Sequence, residues 1–175
     1  MKVGILGLGL IGGSMARAFS KAGHTVLASE RDESIFGFAE LAGAVHGRLD
    51  ATTGSSCDLI LLAIYPDGSA SWLEENAHLV NADALVMDLS GIKEDICARC
   101  FPLAEKYGFT FVGGHPMAGS HNSGFKASRS NLFQGAPMVL VPPRFDDPVL
   151  LQQAVDALKA DIAVIQLTHG FVDAL

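Results

Sequence analysis

The chain has 175 residues, 49% of them hydrophobic and 18% charged, which suits one well-buried domain and is short for two. A formal net charge of −7 with scattered lysines and arginines leaves no basic stripe for a phosphate backbone, so nucleic acid is not expected as a partner, whereas a small anion beside local cations is compatible. Three cysteines, an odd count, imply no disulfide framework, and no apolar run reaches the length of a membrane span.

Lys2 to Leu6 is a short β-branched and leucine-rich run, read as a strand. It is followed at once by Gly7-Leu8-Gly9-Leu10-Ile11-Gly12 and by a helical pattern that runs through Lys21 and stops at Gly23. Lys2, the apolar run Val3 to Ile11 and the triplet Ala16-Arg17-Ala18 superficially imitate a secretory signal. Gly4, Gly7, Gly9, Gly12 and Gly13 would weaken the helix that a signal needs, so a cytoplasmic protein is expected. The glycines have a more specific use. In G-x-G-x-x-G between strand and helix, Gly7 permits the tight turn, Gly9 lets the backbone approach a pyrophosphate, and Gly12 allows close packing of helix on strand. The unpaired N–H groups at the helix start, around Leu10 and Ile11, then face the phosphates.

A second strand, Thr25 to Ser29, ends in Glu30, 18 residues after Gly12. A carboxylate there accepts hydrogen bonds from both ribose hydroxyls and repels a 2′-phosphate, which favours NAD. Arg31 leaves NADP open, since an arginine at that place pairs with the 2′-phosphate; a solvated surface arginine is the other reading. Next come an apolar helix from Ile35 to Ala42, a short strand near Val45, and the buried-looking run Leu59 to Ile64, which suits a central parallel strand covered on both faces. Ile64, at the end of that strand, is a further candidate cofactor contact. Helical spacing resumes from Ser69 to Leu79, Ala84 to Asp88 reads as a strand, and Ile92 to Lys106 as a helix containing Cys97 and Cys100. That lone CxxC lacks the strand-then-helix-start context of a redox pair and the two further ligands of a zinc site, so no metal is expected.

The alternation predicts an α/β fold of Rossmann type: a doubly wound, mostly parallel sheet in three α/β/α layers, formed by residues 1–175 as one dinucleotide-binding domain. Ligands of such a sheet bind beyond the carboxyl ends of its strands. Ser90 sits there, just after its strand, either as an ordinary helix cap or as a site residue. Phe109 to Val112 is the next strand, and it leads into Gly113-Gly114-His115-Pro116-Met117-Ala118-Gly119-Ser120-His121-Asn122-Ser123-Gly124-Phe125. So many glycines and small polar residues read as a site loop rather than a packed strand or helix. Pro116 pushes His115 toward an extended conformation, and Gly113 and Gly114 leave room for another group near the backbone. Beyond it, Leu132 to Ala136 reads as a turn, Met138 to Val141 as a strand, Asp146 to about Ala160 as a helix with an acidic, proline-marked start, and Ile162 to Leu167 as a last strand.

With the glycine turn, Ser90-Gly91-Ile92-Lys93, Gly114-His115-Pro116-Met117-Ala118-Gly119, Ser123-Gly124-Phe125 and Leu132-Phe133 in this order, nearly the whole chain resembles the prephenate and arogenate dehydrogenases of tyrosine biosynthesis. The resemblance implies NAD(P)-dependent oxidative decarboxylation of prephenate to 4-hydroxyphenylpyruvate, or of arogenate to tyrosine. It implies that His115 hydrogen-bonds the ring hydroxyl and takes its proton, that Ser90 is its neighbour near the nicotinamide, and that Ser120 lines the substrate pocket. His121 stands where many relatives carry an acidic residue. Relatives also continue into a helical domain that makes a homodimer and supplies an arginine for the ring carboxylate, and none of Arg17, Arg31, Arg48, Arg99, Arg129 or Arg144 matches it. A non-catalytic dinucleotide-binding module and a related hydroxyacid dehydrogenase are the alternative readings.

Overall fold

The computed structural model describes residues 1–144 and 146–158. Seven strands form one sheet in the order β3-β2-β1-β4-β5-β6-β7. They are β1 (Lys2–Leu6), β2 (Thr25–Ser29), β3 (Gly47–Arg48), β4 (Leu59–Leu62), β5 (Leu85–Asp88), β6 (Thr110–Pro116) and β7 (Met138–Val141). All neighbours pair in parallel except β6 with β7, which are antiparallel. The helices between them are α1 (Leu10–Lys21), α2 (Glu33–Leu41), the single turn α3 (Ala51–Gly54), α4 (Pro66–Asn76), α5 (Glu94–Tyr107) and α6 (Pro148–Leu158).

The three layers follow from the alternation of side chains along each strand. In β4, Leu59 and Leu61 join one apolar cluster with Met15 and Phe19 of α1, Phe36 of α2 and Leu158 of α6. Ile60 and Leu62 join the opposite cluster with Leu73 of α4 and Ile96 and Cys100 of α5. All four β4 residues are fully buried, each worth about 1.5–3 kcal/mol of transfer free energy, which is why this strand reads as a continuous apolar run rather than an alternating one. The chain leaves β1 on the β2 side and returns to its other flank as β4, so the strand order reverses between β1 and β4. A crevice opens at such a reversal.

Several boundaries differ from expectation for identifiable reasons. The third strand is Gly47–Arg48, not Val45, because Val45 turns into the core while Gly47 and Arg48 pair with Leu27 and Ala28. The fourth helix starts at Pro66, a proline at the first helical position, and its predicted last turn tightens into a 3₁₀ turn at Ala77–Leu79. The glycine-rich run is not wholly a loop. Gly113 to Pro116 belong to β6, held by pairing with Val141 to Met138, a partner distant in sequence. Near the end, Asp147 precedes α6, and its side chain accepts the N–H groups of Val149 and Leu150. Ala160 and the strand expected over Ile162 to Leu167 lie outside the described residues.

Candidate functional site

The crevice at the strand reversal is built largely from what the glycines leave out. Gly7 has a φ of +89°, and a Cβ there would lie 2.4 Å from Ile64 Cγ2 and 2.9 Å from the Ala63 carbonyl. At Gly12 a Cβ would lie 2.0 Å from the Gly7 carbonyl oxygen, so α1 seats directly on the turn. Gly9 is the opposite case: a Cβ would meet nothing within 4 Å, because the residue faces open space. Gly9 is also the N-cap of α1 and has no side chain to cap it, so the N–H groups of the first turn are left for a ligand.

That open end faces a groove of about 580 Å³ lined by, among others, Gly9, Leu10, Ile11, Glu30, Ile64 and Ser90. A second cavity of about 460 Å³ shares Gly7, Glu30, Ile64 and Tyr65 with it and adds Arg31, Trp72 and Glu75. Together they make a trough along the carboxyl ends of the strands. Glu30 stands at their junction, its two carboxylate oxygens fixed by the N–H of Leu8 (2.8 Å) and of Asp32 (3.1 Å). Arg31 is exposed.

At the other end of the groove lies a cluster of charges inside the protein. Asp88 closes β5 and is fully buried, and Lys93 is 2% exposed. The two form an ion pair, and the lysine Nζ also donates to the Gly114 carbonyl (2.7 Å). Burial pulls the lysine pKa down while the Asp88 charge opposes that pull. Such a pair is held by hydrogen bonds that satisfy its remaining atoms. Ser90 supplies some of them: its N–H and Oγ donate to Asp88 (both 3.1 Å), and its Oγ lies 3.3 Å from Lys93 Nζ. Ser90 is therefore not the cap of α5, which begins at Glu94 with Lys93 as its N-cap. The room at Gly113 and Gly114 is taken by the protein itself, since a Cβ on Gly113 would meet Cys97 Sγ at 2.7 Å and Lys93 Cδ at 3.3 Å.

His115 follows directly. Its Cε1 lies 3.8 Å from where a Cβ on Gly91 would stand, which places the imidazole against the groove wall formed by Ser90 and Gly91. Burial first, and the Lys93 charge second, lower its pKa below the usual 6.5, while the Ser90 backbone and Asp88 act the other way. The neutral form of the ring is thereby favoured, and its buried Nδ1 has no hydrogen-bond partner among the described residues. A neutral imidazole of this kind is equipped to accept a proton.

Of the residues singled out in the sequence, Gly7, Gly9, Leu10, Ile11, Glu30, Ile64 and Ser90 share the groove, Gly12 underlies it, Arg31 lines the adjoining cavity and His115 abuts its wall. Ser120 does not join them. It is exposed, exchanges hydrogen bonds with the Asn122 backbone (2.9 and 3.2 Å), and lines a separate cavity of about 720 Å³ with His121 and Arg129. Ser123 and Gly124 reach the cofactor groove instead. Asp88 and Lys93 are site residues that the sequence pattern does not single out. The available signal was an aspartate ending the apolar run Leu85 to Met87, with a lysine five residues on. Cys97 and Cys100 lie inside α5, buried, with thiol pKa values pushed up by burial to about 11 and about 12.

The family model described as "Prephenate dehydrogenase, nucleotide-binding domain" matches residues 15–167. A prephenate dehydrogenase of Lactococcus lactis is 35% identical over 96% of this chain and 50% of its own length. The crystal structure of Synechocystis arogenate dehydrogenase superposes with a TM-score of 0.83 at 30% identity, covering 96% of this chain and 59% of that one. The Aquifex aeolicus prephenate dehydrogenase, solved with hydroxyphenyl propionate and NAD+, gives a TM-score of 0.80 at 25% identity, again over 96% and 59%. The chain thus spans about half the length of the Lactococcus relative.

Proposed function

This chain belongs to the prephenate dehydrogenase family, through its nucleotide-binding domain, and we propose that it holds the NAD of an oxidative decarboxylation and supplies the proton acceptor, His115. The observation that carries the reading is the uncapped amino end of α1, opening at Gly9 into a groove that also holds Glu30 and Ser90 and has His115 against its wall. The residues present fit a dinucleotide. Space in front of Gly9 admits a pyrophosphate, the free N–H groups of the first turn neutralise it, and the fixed Glu30 carboxylate accepts from ribose hydroxyls and disfavours a 2′-phosphate. NADP is the lesser choice, with Arg31 as its only obvious support.

A bound NAD would supply the hydride acceptor for the ring carbon that bears the hydroxyl, and loss of carbon dioxide would leave the aromatic ring. His115 hydrogen-bonds that hydroxyl and takes its proton as positive charge develops on the oxygen; its lowered pKa keeps the ring in the neutral, accepting form beforehand. Ser90 holds the strand end beside it through Asp88, and the Asp88–Lys93 pair fixes the neighbouring Gly114 carbonyl. The expected substrate is prephenate, with arogenate as the alternative favoured by the likeness to the Synechocystis enzyme. The ring carboxylate would be held by a cation that the lining of this groove does not supply, and the setting is tyrosine biosynthesis in the cytoplasm.

Titration of the folded chain with NADH and NADPH, read by fluorescence, tests the first half: saturable binding with NADH preferred is expected, and no binding of either ends the reading. For the second half, His115→Asn is placed in the assembled enzyme. Turnover falls by about 10²–10⁴-fold with NADH affinity kept; unaltered turnover would remove His115 from the reaction.

A further inference from the structure

Helix α1 presents two surfaces with different partners. Its first turn, Leu10 and Ile11, lines the cofactor groove. Further along, Ser14 and Arg17, three residues apart and so on one face, meet the segment that follows the His-Pro motif. Ser14 Oγ accepts the N–H of Arg129 (3.0 Å), and Arg17 Nε donates to Ser128 Oγ (2.9 Å). The same guanidinium lies over the Phe125 ring, 4.5 Å from its centroid, and Phe125 in turn meets Phe38 of α2 edge-on. Gly13 lies between these contacts without a side chain, since a Cβ would come within 2.7 Å of Phe125 and 3.0 Å of Ser128. The fastened segment also returns to the groove: Ser123 and Gly124 belong to the wall that includes Ser90 and Gly91.

We infer that Arg17 is a positioning residue, a latch that holds segment 117–129 against the dinucleotide helix so that cofactor binding and the order of this segment are coupled. The inference rests on the dinucleotide reading of the groove. A ligand that touches both the first turn of α1 and the Ser123–Gly124 wall binds best when the two are already held apart at the right distance. If the segment is loose, binding must order it, and the entropy lost weakens the affinity. Arg17 suits this role because one planar group makes both the hydrogen bond to Ser128 and the stacking contact with Phe125, whereas a lysine supplies only a point charge. Through the latch, the segment carrying Ser120, His121 and Arg129 would respond to the cofactor.

The test compares wild type, Arg17→Met, which keeps the aliphatic stem, and Arg17→Lys. NADH affinity is measured by titration, and backbone hydrogen exchange over residues 119–129 is followed with and without NADH. Arg17→Met is expected to bind NADH about tenfold more weakly, to exchange faster in this segment, and to lose the protection that NADH confers there; Arg17→Lys recovers part of each. Equal NADH affinity in wild type and Arg17→Met, whatever the melting temperature does, overturns the latch, since a merely structural contact predicts that result. Should Arg17→Met fail to fold, Ser128→Ala removes the hydroxyl that accepts from Arg17 and donates to the Phe125 carbonyl, and unchanged NADH affinity there overturns the latch equally. Absence of NADH binding by wild type would sink the dinucleotide reading and the latch together; binding that the variants leave untouched sinks the latch alone.

Discussion

The two ends of the groove are made in opposite ways. At the β1–β2 end the site is backbone: Gly7, Gly9 and Gly12 leave room, α1 contributes bare N–H groups, and Glu30 is pinned by main-chain donors. At the β5–β6 end the site is side chain: Asp88 and Lys93 lie buried as a pair, Ser90 completes their hydrogen bonding, and His115 takes its low basicity from that setting. The first end depends on steric absence, and at Gly7 and Gly12 it tolerates no added atoms. The second depends on charge balance and tolerates no lost partner.

The most damaging change should therefore be Lys93→Met, which leaves the Asp88 carboxylate buried without its counter-charge. Urea unfolding should show a loss of about 3–5 kcal/mol, and Asp88→Asn in the same chain should restore a large part of it. Were the two changes simply additive, the β5–β6 end would not be organised by charge balance. Next in size is Gly12→Ala, whose methyl would meet the Gly7 carbonyl; a loss of about 1–3 kcal/mol is expected, together with NADH binding. Gly9→Ala separates space for the fold from space for the ligand. Its methyl enters open space, so stability should change by less than about 1 kcal/mol while NADH affinity falls, and an unchanged affinity would show that nothing approaches Gly9.

The smallest effect is a pH dependence. Since the pKa of His115 in the folded chain is lowered from 6.5, the unfolded chain binds the proton more readily, and stability conferred by the neutral ring is complete above pH 6.5. It is lost as pH falls from there through the lowered folded value. His115→Asn should remove that component from the pH–stability curve, and the ring's NMR titration should have its midpoint below 6.5.

This contrast also explains what could be read from the sequence. The glycine turn, the strands Lys2 to Leu6, Thr25 to Ser29 and Met138 to Val141, and the acidic residue after β2 are local patterns, and the structure places them as read. The extended state of Gly113 to Pro116 was not legible as a strand, because it depends on β7, which lies beyond the intervening segment. Lys93 follows Ser90 in the motif, yet its importance depends on burial against Asp88 and Gly114, which no local pattern reports. Ser120 enters as a substrate-pocket residue by resemblance alone, and it lines a cavity with His121 and Arg129 rather than the cofactor groove.

The antiparallel seventh strand has a consequence for how such a site diversifies. Because β7 runs back along β6, Pro116 and Met138 stand side by side, and the Met117 N–H reaches the Pro137 carbonyl at 2.9 Å. The whole excursion between them leaves and re-enters the sheet at one point beside His115, like a bag closed by a drawstring. Its exposed stretch, residues 119–123, is then free to vary in length without shifting any strand register, since doubling a loop costs only about 0.6 kcal/mol in closure entropy, whereas Phe125, Leu132 and Phe133 stay packed in the core. Insertions or deletions there would remodel what stands over the histidine while the sheet that positions it stays unaltered.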